Sequence, residues 1–159
     1  MNGMNVYTRR MTSSDTIPYA LLLSADESKR LVDEYLGRGD CYLAFGEIDE
    51  TEPVGVYVLI RTRPDTVEIV NIAVAEPLHG HGIGKRLVCD AIEQARAMGA
   101  KTVEIGTGNS GVVQLALYQK CGFRIVGVDR DFFVRHYDHP IIENGIPCVD
   151  MIRLRLELT

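Results

Sequence analysis

"EPLHGHGIGKRLV", residues Glu76–Val88, decides how the rest of the chain is read. Gly80, Gly82 and Gly84 alternate with His79, His81 and Ile83, directly after the strand-like run "TVEIVNIAV" (Thr66–Val74). Beyond Gly84, the apolar residues Leu87, Val88, Ala91, Ile92, Ala95 and Met98 recur at helical spacing until Gly99 ends the pattern. Alternating glycines remove side chains and expose consecutive backbone N–H groups. These donors sit at the N-terminus of a helix, where the dipole is positive, and Lys85 and Arg86 add charge. The arrangement suits an anion such as a pyrophosphate.

Three other readings of the stretch fail or carry little weight. A P-loop needs glycine where His79 stands and Ser or Thr where Arg86 stands. A dinucleotide fingerprint needs a third glycine where Leu87 stands. A zinc site from His79, His81 and the distant "RHYDHP" matches no metal-binding spacing and includes no cysteine, so it carries little weight and no metal is expected.

Outward from this stretch, the chain reads as alternating elements without a repeat or linker. Val6–Thr8 forms a short first strand, and Pro18 opens a helix through Leu23. Ser24 and Glu27 have capping-box spacing for a second helix over Ala25–Leu36, stopped by Gly37. Cys41–Glu47, Val54–Ile60 and Thr66–Val74 are strands joined by short polar turns, hence an antiparallel meander. "KTVEIGTG" is the strand after the glycine-led helix, and Ser110 caps a further helix ending at Gly122. "FRIVGVD" and the alternating "CVDMIRLRLEL" (Cys148–Leu158) complete the sheet. The order β-α-α-β-β-β-α-β-α-β-β predicts an α+β fold with a mixed sheet, as one domain over residues 1–159.

Composition narrows the function classes. The 159 residues are 46% hydrophobic and 25% charged with a net charge of −5, an ordinary globular balance without a basic face for nucleic acid. Cys41, Cys89, Cys121 and Cys148 show no metal or redox spacing and read as buried, reduced thiols. No apolar run is long enough to cross a bilayer, and the N-terminus lacks an apolar signal core, so a cytoplasmic location is expected.

With these elements placed, two stretches in order resemble the Gcn5-related N-acetyltransferase (GNAT) superfamily. The first is "IAVAEPLHGHGIGKRLV", in which Gly82 and Gly84 take the family's two small positions and His79 stands where Arg or Gln is usual. The second is "TGNSGVVQLALYQKCGFR", in which Asn109, Tyr118, Gly122 and Phe123 match. The resemblance covers Val54–Phe123 and implies a mostly antiparallel sheet of about seven strands, flanked by helices and splayed at an acetyl-CoA site. It implies acetyl transfer from acetyl-CoA to a primary amine of a small molecule or peptide, with a homodimer compatible with the family. The pantetheine arm and thioester would meet the backbone of Ile72, Ala73 and Val74, and the pyrophosphate would meet His79, Gly80, His81, Gly82, Ile83, Gly84 and Lys85, with Asn109 nearby. Tyr118 is the implied acid for the departing thiolate. Glu68, at the point of the strand where some members carry a water-linked glutamate, is the candidate base.

Strict alternation puts Glu68, Val70, Ile72 and Val74 on one sheet face and Val67, Ile69, Asn71 and Ala73 on the other. Asn71 interrupts an apolar face and is a candidate contact to acceptor or pantetheine. Cys121 lacks a paired histidine and reads as core. The long stretch Arg130–Pro147 carries Phe132, Phe133, His136, Tyr137, Asp138 and His139 with a tight-turn signal at Asn144–Gly145, and is expected to wall an acceptor site or form a surface hairpin. The competing reading is a non-catalytic acyl-CoA-binding sensor, against which the retained Tyr118 argues.

Overall fold

The computed structural model describes residues 5–47 and 49–158. Its main sheet has seven strands: β1 (Val6–Arg10), β2 (Asp40–Gly46), β3 (Gly55–Arg63), β4 (Thr66–Val74), β5 (Thr102–Gly108), β6 (Arg124–Asp129) and β9 (Met151–Glu157), in the order β1-β2-β3-β4-β5-β9-β6. A separate two-residue hairpin pairs β7 (Ile142–Glu143) with β8 (Ile146–Pro147). The helices are α1 (Tyr19–Ala25), α2 (Lys29–Leu36), α3 (Ile83–Ala97), α4 (Val112–Lys120) and α5 (Phe132–His136).

The predicted meander is present as antiparallel β1–β2–β3–β4. The α3 crossover then makes β4 and β5 parallel neighbours. The α4 crossover does not make β6 a neighbour of β5, because β9 inserts antiparallel between them. The mixed, mostly antiparallel sheet expected from the sequence is thus observed, with β4–β5 its parallel pair.

Two cores hold the helices on opposite faces. Tyr57, Leu59, Val67, Ile69, Val103, Ile105 and Leu154 pack with the buried face of α3, Ile83, Leu87, Val88, Ala91, Ile92 and Ala95. Each fully buried aliphatic side chain there contributes on the order of 1.5–3 kcal/mol. The Asp90 carboxylate of α3 accepts from the Tyr57 hydroxyl at 2.5 Å and from Thr8 at 2.9 Å, fixing the helix on the sheet. On the other face, Leu22 of α1 and Val32 and Tyr35 of α2 cover Val56, Val58, Ile60 and Ala73.

Several local expectations are corrected. The second helix begins at Lys29, because the Ser28 hydroxyl caps it by accepting from the Leu31 N–H; Ser24 instead donates to the Leu21 carbonyl in the last turn of α1. The chain therefore breaks at Asp26–Ser28, leaving a joint that reaches the site. Ser110 does not cap α4: Gly111 holds that position and the Ser110 hydroxyl donates to Glu143. Cys89 is exposed; Cys121, just after α4, is partly buried against the α3-side core; Cys41 and Cys148 are buried.

Candidate active site

The β4–β5 ladder sets the site. It runs from Thr66↔Thr102 to Ile69↔Ile105 and stops there, although β4 continues to Val74 and β5 to Gly108. From Val70 onward, β4 has no strand on its β5 side, so its backbone groups on that edge face a gap. A bulge on the other side of β4 has the same location: Val58 pairs with Asn71 and Leu59 with Ile69, leaving Val70 as the extra residue.

The bulge overturns the strict alternation expected along β4. Ile72 and Val74 pack in the α3-side core with Val67 and Ile69, whereas Val70 and Ala73 pack on the α1–α2 side. Asn71 joins them there, its amide Nδ2 donating to the Leu22 carbonyl at 3.0 Å and the Tyr35 hydroxyl at 2.8 Å. One inserted residue shifts every later side chain to the opposite face.

The gap opens into a cavity of about 290 Å³. Ile69–Ile72 and Ile105–Gly108 form its strand walls, with Tyr118 from α4 on one side. The lining is completed by Ser24 and Ala25 at the end of α1, by Asp26 and Glu27 of the joint, by Phe133, Tyr137, Ile142 and Glu143 of the connection Arg130–Pro147, hereafter the strap, and by Cys148. The strap is tied to the joint: Tyr137 donates to Asp26 at 2.6 Å, and His139 bonds Glu27 at 3.1 Å. Asp26 also accepts from the Tyr35 hydroxyl at 3.0 Å, so a continuous chain links Asn71, Tyr35, Asp26 and Tyr137. The strap's hairpin turns at Asn144 (φ 56°) and Gly145 (φ 72°), the two left-handed residues of a type I′ turn.

At the mouth of the gap lies the glycine stretch. Gly80 and Gly82 have φ of 83° and 80°, a left-handed conformation that an added Cβ would strain although nothing stands within 4 Å of it. Gly82 is the residue preceding α3. Among the described residues, the N–H groups of Gly80, His81, Gly82, Ile83, Gly84 and Lys85 donate to no backbone carbonyl. They form a run of free donors at the positive end of a 15-residue helix. His79 is turned back, its Nε2–H donating to the Val74 carbonyl at 2.7 Å. Arg86 reaches the Val6 carbonyl instead of the loop.

The remaining sequence candidates divide. Tyr118 is buried against Phe123 and lines the cavity, and among the described residues its hydroxyl has no hydrogen-bond partner. Burial raises its pKa above the ordinary phenol value, so the hydroxyl stays protonated across the neutral range. Glu68 lies one residue before the gap, paired in register with Glu104, and does not line the cavity. Burial raises its carboxyl pKa, partly offset by Arg153 at 3.9 Å. Asn109 is committed to structure: its Oδ1 accepts from Val149 and Asp150 and its Nδ2 donates to Pro147, joining β5 to the approach of β9. Asp26 and Tyr35 went unread because Asp26 fell inside an expected helix and Tyr35 on an ordinary apolar helix face. Among the described residues, no three His, Cys, Asp or Glu side chains gather as a metal centre would need.

A parallel strand pair that parts, free N–H groups at the start of the following helix and a buried phenol in the cavity form the arrangement that the acetyltransferase resemblance implies. The chain belongs to the acetyltransferase (GNAT) family, whose pattern it matches over residues 9–123. It is 64% identical over 140 residues, 88% of each chain, to the uncharacterized N-acetyltransferase YvbK of Bacillus subtilis (strain 168). A GNAT family acetyltransferase from Elizabethkingia anophelis, solved with acetyl-CoA bound, is 48% identical with a TM-score of 0.93, over 97% of this chain and 99% of that one. The IAA acetyltransferase of Bacillus cereus ATCC 14579 is 53% identical with a TM-score of 0.91, over 97% and 100% of the two chains. No helix among the described residues is long and apolar enough to cross a membrane.

Proposed function

We propose that this acetyltransferase moves the acetyl group of acetyl-CoA directly to a primary amine held at the strap end of the cavity. The observation that carries the reading is the parting of β4 from β5 beyond Ile69 and Ile105, with six free N–H groups at its mouth. The open edge of β4 at Ile72–Val74 offers backbone donors and acceptors to an extended arm, and Gly80–Lys85 offers donors to a pyrophosphate. Acetyl-CoA bound to the Elizabethkingia relative supports the same assignment.

Acetyl-CoA supplies an activated thioester; this chain's residues hold it, shed water and manage protons. Tyr118, kept protonated by burial, donates to the departing sulfur. Glu68, its carboxyl pKa raised by burial, takes the ammonium proton of the acceptor through water. Only about one alkylamine in several thousand is neutral at pH 7, so this deprotonation limits the rate at low pH. The rate therefore rises with pH as Glu68 loses its proton.

Tyr118→Phe and Glu68→Gln test these roles together. Tyr118→Phe removes an unpartnered hydroxyl, so it leaves the acetyl-CoA Kd by calorimetry within about twofold while kcat falls about a hundredfold. Glu68→Gln removes Glu68's own part of the acidic limb, leaving a rate that follows the acceptor amine's titration alone and is about a hundredfold lower at pH 7. Unchanged kcat in the first, or an unchanged limb in the second, removes that residue from the chemistry.

A further inference from the structure

The acceptor end of the cavity has a definite chemistry. Three carboxylates line it, Asp26 and Glu27 from the α1–α2 joint and Glu143 from the strap, and no Lys, Arg or His does. Their partners leave capacity unused: Asp26 accepts the Tyr35 hydroxyl on Oδ2 and the Tyr137 hydroxyl and Ser28 N–H on Oδ1, Glu143 accepts Ser110 on Oε1 at 3.2 Å, and Glu27 meets His139 on Oε1. An ionised carboxylate has room for about four hydrogen bonds.

A second, independent observation comes from β4. Asn71 lines the same cavity and is 4% exposed. Its Nδ2 donates to the Leu22 carbonyl, which can only accept, so the amide orientation is fixed. That leaves Oδ1 buried with no partner among the described residues. A buried, unsatisfied acceptor at a substrate cavity calls for a donor from the ligand. Asp26 lies two hydrogen bonds away along the Asn71–Tyr35–Asp26 chain. Phe133, Ile142 and Met151 add apolar surface to the same lining.

We infer that the acceptor is a small alkyl diamine: one amine nitrogen donates to Asn71 Oδ1 at the reacting end, and the second ammonium faces the wall to which Asp26, Glu27 and Glu143 each bring a separate carboxylate. The inference rests on the proposed acetyl transfer and specifies its substrate. Acids and zwitterions are disfavoured, because an added carboxylate would face three others, and His139, outside the lining, is already held by Asp138 and Glu27. In the step itself, the amine already deprotonated by way of Glu68 forms the new C–N bond, the C–S bond breaks, the electron pair leaves with sulfur, Tyr118 protonates the thiolate, and the proton shed by nitrogen passes through water to restore the Tyr118 hydroxyl while Glu68 returns its own to solvent.

The test is thiol release from acetyl-CoA with putrescine, butylamine, lysine, an N-terminal peptide and IAA, with acetyl-CoA binding measured by calorimetry on the same sample. The diamine should exceed the monoamine in kcat/KM by about tenfold or more, the scale of one charge-assisted contact. Glu143→Gln and Glu27→Gln, isosteric changes in exposed segments, should each shrink that ratio through a higher diamine KM. Acetyl-CoA binding with no diamine preference, or turnover of only lysine, the peptide or IAA, overturns the inference and leaves acetyl transfer standing. Absence of acetyl-CoA binding overturns both.

Discussion

Gly82 shows what one residue contributes to this site. Its φ of 80° lets the chain turn from the glycine stretch into α3 while presenting its N–H outward. Space is available for a methyl group there, so the penalty for a side chain is conformational, about 1 kcal/mol. Gly82→Ala should lower the thermal midpoint by a few degrees and weaken acetyl-CoA binding about tenfold, because the helix start shifts and its donors lose alignment. A calorimetric Kd equal to that of the unaltered protein would show that the donors there do not grip the pyrophosphate. The glycines were readable from sequence because few residues tolerate such backbone, and the chemistry follows from it. Asn71 was readable only as an interruption in an apolar strand. Its true face depends on the bulge at Val70, which no alternation pattern reveals.

At the scale of elements, the strap and the α1–α2 joint work as one wall. The Tyr137–Asp26 and His139–Glu27 contacts join segments more than a hundred residues apart in sequence. Both His139 nitrogens meet carboxylates, Asp138 on Nδ1 at 2.8 Å and Glu27 on Nε2. The hydrogen bond to Asp138, then that to Glu27, raises the His139 pKa above its ordinary 6.5, and Asp138 is lowered by the same contact. A raised histidine contributes stability that is complete below about pH 6.5 and fades as pH rises through the folded pKa; a lowered Asp contributes above about pH 4. The clasp is therefore complete between about pH 4 and 6.5. His139→Gln should cost thermal midpoint near pH 6 and almost nothing near pH 9, in paired melts; an equal loss at both would contradict the clasp. The joint itself was misread from sequence. Ser24 and Glu27 offer a capping-box pattern, but Ser28 captures the cap and frees Asp26 for two tyrosines. Spacing cannot arbitrate between two competent caps three-dimensionally separated by their partners.

For the molecule as a whole, the sheet order explains why the site lies where it does. A meander reaches β4, a single parallel crossover over α3 reaches β5, and the bulge and the end of pairing then split the sheet. The meander, the glycine-led helix and the Asn144–Gly145 turn were visible as local patterns. The insertion of β9 between β5 and β6 was not, because it joins segments separated by the strap and no local period encodes that pairing. The central claim is direct transfer within one cavity that holds thioester and amine together. It is tested most directly by initial rates with acetyl-CoA and putrescine varied together, followed by intact mass after incubation with acetyl-CoA alone. Direct transfer predicts intersecting reciprocal plots and an unmodified chain; parallel plots with an acetylated protein intermediate would contradict it.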